Sequence, residues 1–240
     1  MNIEYEITPH ATSLPAYMGF ILSNSTEFSL TEKQKKELLA LKTIIMSKAH
    51  VFKENIIEMN EKLKKMSFNN VEIETIEEFN KEVTVERLRF SEIKTECRDS
   101  VLGIITETQW NKVVEIYNNK VPYPMDYILE RITPIPNYMI DVYHVENLNL
   151  SEDKKKLLTN WNKDGHYDAM MMQTKIVEAE KEVRKMSLQN ISKDKIMAKV
   201  EELEKVRSKF ISAKTKCRDY IISNVLTEKQ WSFLAEKTSN

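Results

Sequence analysis

Met46 and His50 lie four residues apart, and so do His166 and Met170, the same two side chains in reverse order. Residues four apart share one face of a helix, so each pair offers an imidazole and a thioether to the same volume. That donor set suits a soft ion, Cu(I) first and Zn(II) or Ni(II) less well. Met is also a routine gap-filler of helical cores, so packing is the second reading of these positions, with Met172 already on an apolar stripe. His10 and His144 have no such companion and read as polar surface. The two cysteines, Cys97 and Cys217, fall on the apolar sides of their segments, beside Ile93 and Val101 in one case and Ala213 and Ile221 in the other. They suit either a disulfide or two small buried hydrophobes. With no His near either in sequence, a thiol nucleophile lacks a base.

Other chemistry is excluded by what is missing. Three glycines in 240 residues leave no phosphate loop, dinucleotide-binding turn or nucleophile elbow, each of which needs closely spaced Gly. No HExxH, paired CxxC or EF-hand loop occurs. Thirty-six basic residues against thirty-seven acidic ones argue against nucleic-acid binding by phosphate neutralisation. No apolar run is long enough to span a bilayer. The expectation is a chain that is not an enzyme, with no nucleic-acid partner and no membrane span.

The elements that must position these residues come in two copies. TSLPAYMGFILSNSTEFSLTEKQKKELL, from Thr12, answers TPIPNYMIDVYHVENLNLSEDKKKLLT, from Thr133; KKMSFNN answers RKMSLQN, and KTECRDS answers KTKCRDY. ITETQW matches LTEKQW, with Trp110 facing Trp231, and the offset stays at 120 from Leu30 to Asp99. A tandem duplication follows, with residues 1–120 as the first unit and 121–240 as the second. NNKVPYPMDY, Asn118 to Tyr127, is the linker, its prolines interrupting helix.

Within each unit the apolar period is helical. Leu38, Leu41, Ile45, Ala49, Phe52, Ile56, Met59, Leu63 and Met66 step by three or four, and the second copy repeats the steps from Leu158 to Met186. This predicts a long packing helix ending near Asn70 or Asn190, since Asn tolerates the left-handed cap. A second long helix is expected from Thr75, capped with Glu78, and from Ser192 in the other copy. A short helix precedes each pair, near Pro15 or Pro136, and a closing helix follows. The helix starts are written as capping boxes: Thr31 with Gln34, Thr106 with Gln109 and Thr227 with Gln230. Ser151 begins a fourth, in which Lys154 replaces the Gln. The fold class is all-α, each unit being a short helix, two long helices and a closing helix.

Paired LTxxQ boxes around two long helices, once per half, resemble the Spy/CpxP family of periplasmic stress proteins. The resemblance covers almost the whole chain. It implies a curved cradle of antiparallel helices, here an intramolecular pseudo-dimer made by one monomeric chain. It implies an ATP-independent holdase for unfolded or partly folded client proteins, located in the periplasm with its secretory signal removed. The alternative implied by relatives of the ZraP and CnrX type is a metal-binding or metal-sensing stress protein, with Met46, His50, His166 and Met170 as ligands to Cu, Zn or Ni and no other cofactor.

Overall fold

A computed structural model describes residues 11–120, 132–138, 142 and 148–239, leaving out the side chains of residues 120, 162–167, 169, 170 and 239. Among the described residues the protein is all-helical, without a strand. The first half contains α1 (Tyr17–Ser23), α2 (Glu32–Phe68), α3 (Ile73–Ile104) and α4 (Glu107–Lys120). The second contains α5 (Glu152–Leu188), α6 (Lys193–Tyr220), which runs into a π turn at Ile221–Val225, and α7 (Glu228–Ser239). Among the described residues no helix is long and apolar enough to cross a membrane. Most of the linker, His10 and His144 lie outside the described residues.

The 37-residue helices α2 and α5 end alike. Asn70 and Asn190 take φ of 53° and 54°. Val71 N donates to Met66 O and Ile191 N to Met186 O, both at 3.0 Å, the closing bond of a Schellman turn. The reversal is so tight that the next helix starts sooner than Thr75 predicts. The N-cap of α3 is Glu72, without a side-chain cap bond, and Thr75 sits inside the first turn, its N–H donating to Glu72 O. Ser192 is the N-cap of α6, but its hydroxyl also makes no cap bond.

The long helices form two antiparallel hairpins, α2 with α3 and α5 with α6, and α3 packs along α6. Each hairpin turn enters the other half. Leu188 belongs to the apolar cluster of Tyr17, Ile21, Trp110 and Val113, whereas Phe68 belongs to that of Tyr138, Leu226, Trp231 and Leu234. The polar contacts recur at the repeat offset. Trp110 Nε1 donates to Leu188 O and Trp231 Nε1 to Phe68 O, each at 3.1 Å. Arg98 Nη1 donates to Ser187 O at 3.2 Å and Arg218 Nη1 to Ser67 O at 3.3 Å. Tyr17 and Tyr138 reach the hydroxyls of Ser187 and Ser67.

The apolar stripe of α2 is fully buried only at Leu38, Ile56 and Leu63. Leu41 and Ile45 pack against the cluster of Tyr17, Phe20 and Ile21, and Ala49 and Phe52 against Ala11, Ile56 and Phe90, but all four stay half-buried.

Left-handed backbone also occurs just before each long hairpin, at Ser29 (φ 50°) and Asn149 (φ 47°), equivalent by the offset. Asn adopts this conformation far more readily than Ser. Because Ser29 is exposed, Ser29→Asn should raise stability by roughly 0.5 to 1 kcal/mol in a urea melt, without altering the helical circular dichroism spectrum.

Candidate functional site

The capping boxes form as expected but reach further than their own helices. Thr31 Oγ1 accepts from Gln34 N at 3.2 Å while Gln34 Oε1 accepts from Thr31 N at 3.0 Å. Thr106 with Gln109 and Thr227 with Gln230 repeat the arrangement. Ser151 accepts only from Lys154 N, at 3.4 Å. The amide nitrogens then tie separate elements together. Gln34 Nε2 donates to Ile104 O at 3.1 Å and to Gln109 Oε1 at 2.9 Å, while Gln109 Nε2 donates to Phe28 O at 3.2 Å. In the second half Gln230 Nε2 donates to Leu148 O, and Lys154 Nζ donates to Asn224 O, one residue before Val225, the counterpart of Ile104. Lys154 thus keeps the long-range half of the Gln role and gives up the local half. Capping alone would accept Glu, which has no N–H to donate at neutral pH. The repeated choice of Gln was the available signal for this second role.

The surface these junctions support is apolar along the middle of α2. Between Leu38 and Ile56 no residue is fully buried, and Leu39, Ile44, Met46 and Val51 are each more than half exposed. Ile44 and Val51 lie on one flank of the helix, Leu39 and Met46 on the other. The flank of Ile44 and Val51 leads into an open groove of about 400 Å³ between α2 and α3, lined by Asn55, Glu58, Met59, Glu82, Val85 and Glu86. Val85 is 45% exposed, so apolar carbon is presented between carboxylates. The offset places Lys175, Glu178, Ala179, Glu202, Lys205 and Val206 at the corresponding positions of the second half. There Lys199 bridges Glu182 and Glu202 at 2.8 and 3.2 Å, so the two surfaces differ in charge and in apolar content.

Comparisons with known proteins give no match: no protein-family model, curated protein or solved structure matches the chain.

Of the four residues read as metal ligands, Met46 and His50 stand on an exposed flank of α2, and His50 Nδ1 lies 3.7 Å from Glu54 Oε1. The side chains of His166 and Met170 lie outside the described residues. Among the described residues no three His, Cys, Asp or Glu side chains are grouped to hold a metal ion. Cys97 and Cys217 are free thiols in separate apolar clusters, one in each half. Burial pushes both up to about 11, so both are protonated at neutral pH. The antiparallel packing of the hairpins places equivalent positions near opposite ends, which is why the repeat did not bring the two sulfurs together.

The amide role of Gln34 separates from its capping role by one substitution. Gln34→Glu keeps an acceptor for Thr31 N but loses both donated bonds and sets a carboxylate against two oxygens. It should lower stability by about 1 kcal/mol in thermal melts despite the favourable charge at a helix start. A neutral or stabilising result would mean that capping is all the residue does.

Proposed function

We propose that the chain is an ATP-independent holdase of the Spy/CpxP type that acts in the periplasm and has no catalytic site. The observation that carries this reading is the set of exposed apolar side chains on the flanks of α2, Leu39, Ile44, Met46 and Val51, with Ile44 and Val51 on the side of the groove at Met59 and Val85. An unfolding client exposes apolar side chains among charged ones. A surface of aliphatic and thioether carbon edged by Glu58, Glu82 and Glu86 meets such a segment without demanding one sequence. Exposed Met, with its flexible thioether, adapts to varied partners.

The architecture we attach to this function is an intramolecular pseudo-dimer of two LTxxQ units with a curved cradle form. It is supported by the reciprocal contacts of the two hairpin turns, which repeat donor for donor at the sequence offset. Each unit acts as the partner that a single-unit chain would find in a second molecule, and the tether raises the effective concentration of that partner.

Two measurements test the proposal. A thermally unfolded client, incubated without nucleotide at several-fold molar excess of this protein, should stay in solution. The triple variant Ile44→Ser, Val51→Ser, Val85→Ser should lose most of that protection while its melting temperature moves little, because exposed positions contribute within about 0.5 kcal/mol each. Absence of protection by the parent protein refutes the holdase reading. Light scattering should give a mass near 28.3 kDa, that of one chain. A mass twice that value would mean the halves pair between molecules.

A further inference from the structure

Where α3 of the first half packs along α6 of the second, the centre of the interface is ionic. Arg87, Glu180, Glu204 and Arg207 are each no more than 2% exposed. Arg87 Nη1 lies 3.4 Å from Glu204 Oε2, and its Nη2 donates to Asn60 Oδ1 at 2.9 Å. Arg207 donates to both Glu204 and Glu180. Two guanidinium groups and two carboxylates make the buried centre neutral.

The repeat offset shows how unevenly that neutrality is supplied. Arg87 corresponds to Arg207, but Asn60 corresponds to Glu180 and Thr84 to Glu204. Both carboxylates therefore come from the second half, and the first half places an amide and a hydroxyl at the matching positions. Local hydrogen bonding accounts for them only in part: Asn60 Oδ1 accepts from Arg87, but Asn60 Nδ2 and Thr84 Oγ1 are buried without a hydrogen-bond partner. The two arginines feel the asymmetry. Burial draws the Arg87 pKa down with Glu204 offsetting only part of it, whereas burial of Arg207 is outweighed by Glu204 and Glu180, which raise it.

We infer that this centre selects the pairing partner: the interface surface of the first half fits the second half and rejects another copy of itself, and the converse holds for the second half. Two first halves brought together by the same contacts would bury two arginines with no carboxylate. Two second halves would bury four carboxylates with two arginines. Uncompensated buried charge is strongly unfavourable, so only the mixed pair is neutral. The complementary surface each half seeks is therefore its sister in the same chain, or the opposite half of another chain. The inference rests on contacts between the halves and is independent of client binding.

Moving the acids from one half to the other in the full-length chain tests it. Glu180→Asn with Glu204→Thr gives the second half the residues of the first, and Asn60→Glu with Thr84→Glu does the reverse. Each double variant leaves a buried charge imbalance of two and should lower the melting temperature by about ten degrees or prevent folding. The quadruple variant, with both acids relocated to the first half, is neutral again and should recover most of the lost melting temperature. A quadruple variant whose loss equals the sum of the two double variants, or which fails to fold, overturns the inference. So does either double variant that melts with the parent.

Discussion

The last carbonyls of α2 and α5 have no donors within their own helices, and both helices end inside the other half's apolar core. A helix C-terminus leaves orphan acceptors that must find partners when water is excluded. The Schellman turns satisfy those of Met66 and Ser67, from Val71 N and Asn70 N, and those of Met186 and Ser187, from Ile191 N and Asn190 N. Ser67 O, Phe68 O and Val71 O are met by Arg218 and Trp231, and Ser187 O and Leu188 O by Arg98 and Trp110, all from the opposite half. A buried acceptor left unmet costs about 1 to 3 kcal/mol, and at each turn one such helix-end carbonyl, Phe68 O or Leu188 O, is met by the opposite half's Trp. Neither hairpin is complete without the other, so the reciprocal docking sets the register of α3 on α6 and brings the ionic residues to the centre.

The LTxxQ boxes belong to the same frame at its outer ends. In the first half, the side chains of Gln34 and Gln109 each accept at their own helix start and donate to a distant carbonyl, joining the starts of α2 and α4 to the end of α3. Lys154 shows which part of this the second half retains: the ammonium still reaches a carbonyl of the π turn that follows α6, and the reciprocal cap is lost. Local helix capping is worth about 1 kcal/mol and tolerates erosion. The tie between elements is what both halves keep.

Much of this frame was legible in the sequence. Capping boxes are written in residues three apart, and the left-handed ends at Asn70 and Asn190 in single residues, so local chemistry fixes both. The duplication supplied the order of elements. The start of α3 was misplaced at Thr75 because a Schellman turn shortens the connection, and its signature is Asn70 alone, with no cap residue following. Long-range facts were hidden. Nothing in the spacing of Arg87 and Arg98 distinguishes a buried guanidinium from a solvated one, since Arg on a helix is usually exposed. Only the hairpin exchange removes them from water. Likewise Ile45 and Phe52 share the period of Leu38 and Ile56, and period alone does not say how many sides of a stripe are covered.

These two kinds of contact divide the molecule's work. Specific polar interactions between elements concentrate at the hairpin turns, the box junctions and the ionic centre, while the middle of α2 between Leu38 and Ile56 carries almost none of them. Helix backbone in that stretch satisfies its own hydrogen bonds, so it holds its form without tertiary caps. Leu41, Ile45, Ala49 and Phe52 pack on the core from one face, while Leu39, Ile44, Met46 and Val51 on the flanks are left exposed. An exposed apolar surface of this kind raises the risk of association, which charge around it reduces. Lys42, Lys48, Lys53 and Glu54 are interspersed along the same helix, and Glu58, Glu82 and Glu86 edge the groove. The result is an exposed apolar strip suspended between fixed ends. Its side chains can change without disturbing the contacts that close the chain on itself, and at the equivalent positions of the second half Lys175, Ala179 and Lys205 stand for Asn55, Met59 and Val85.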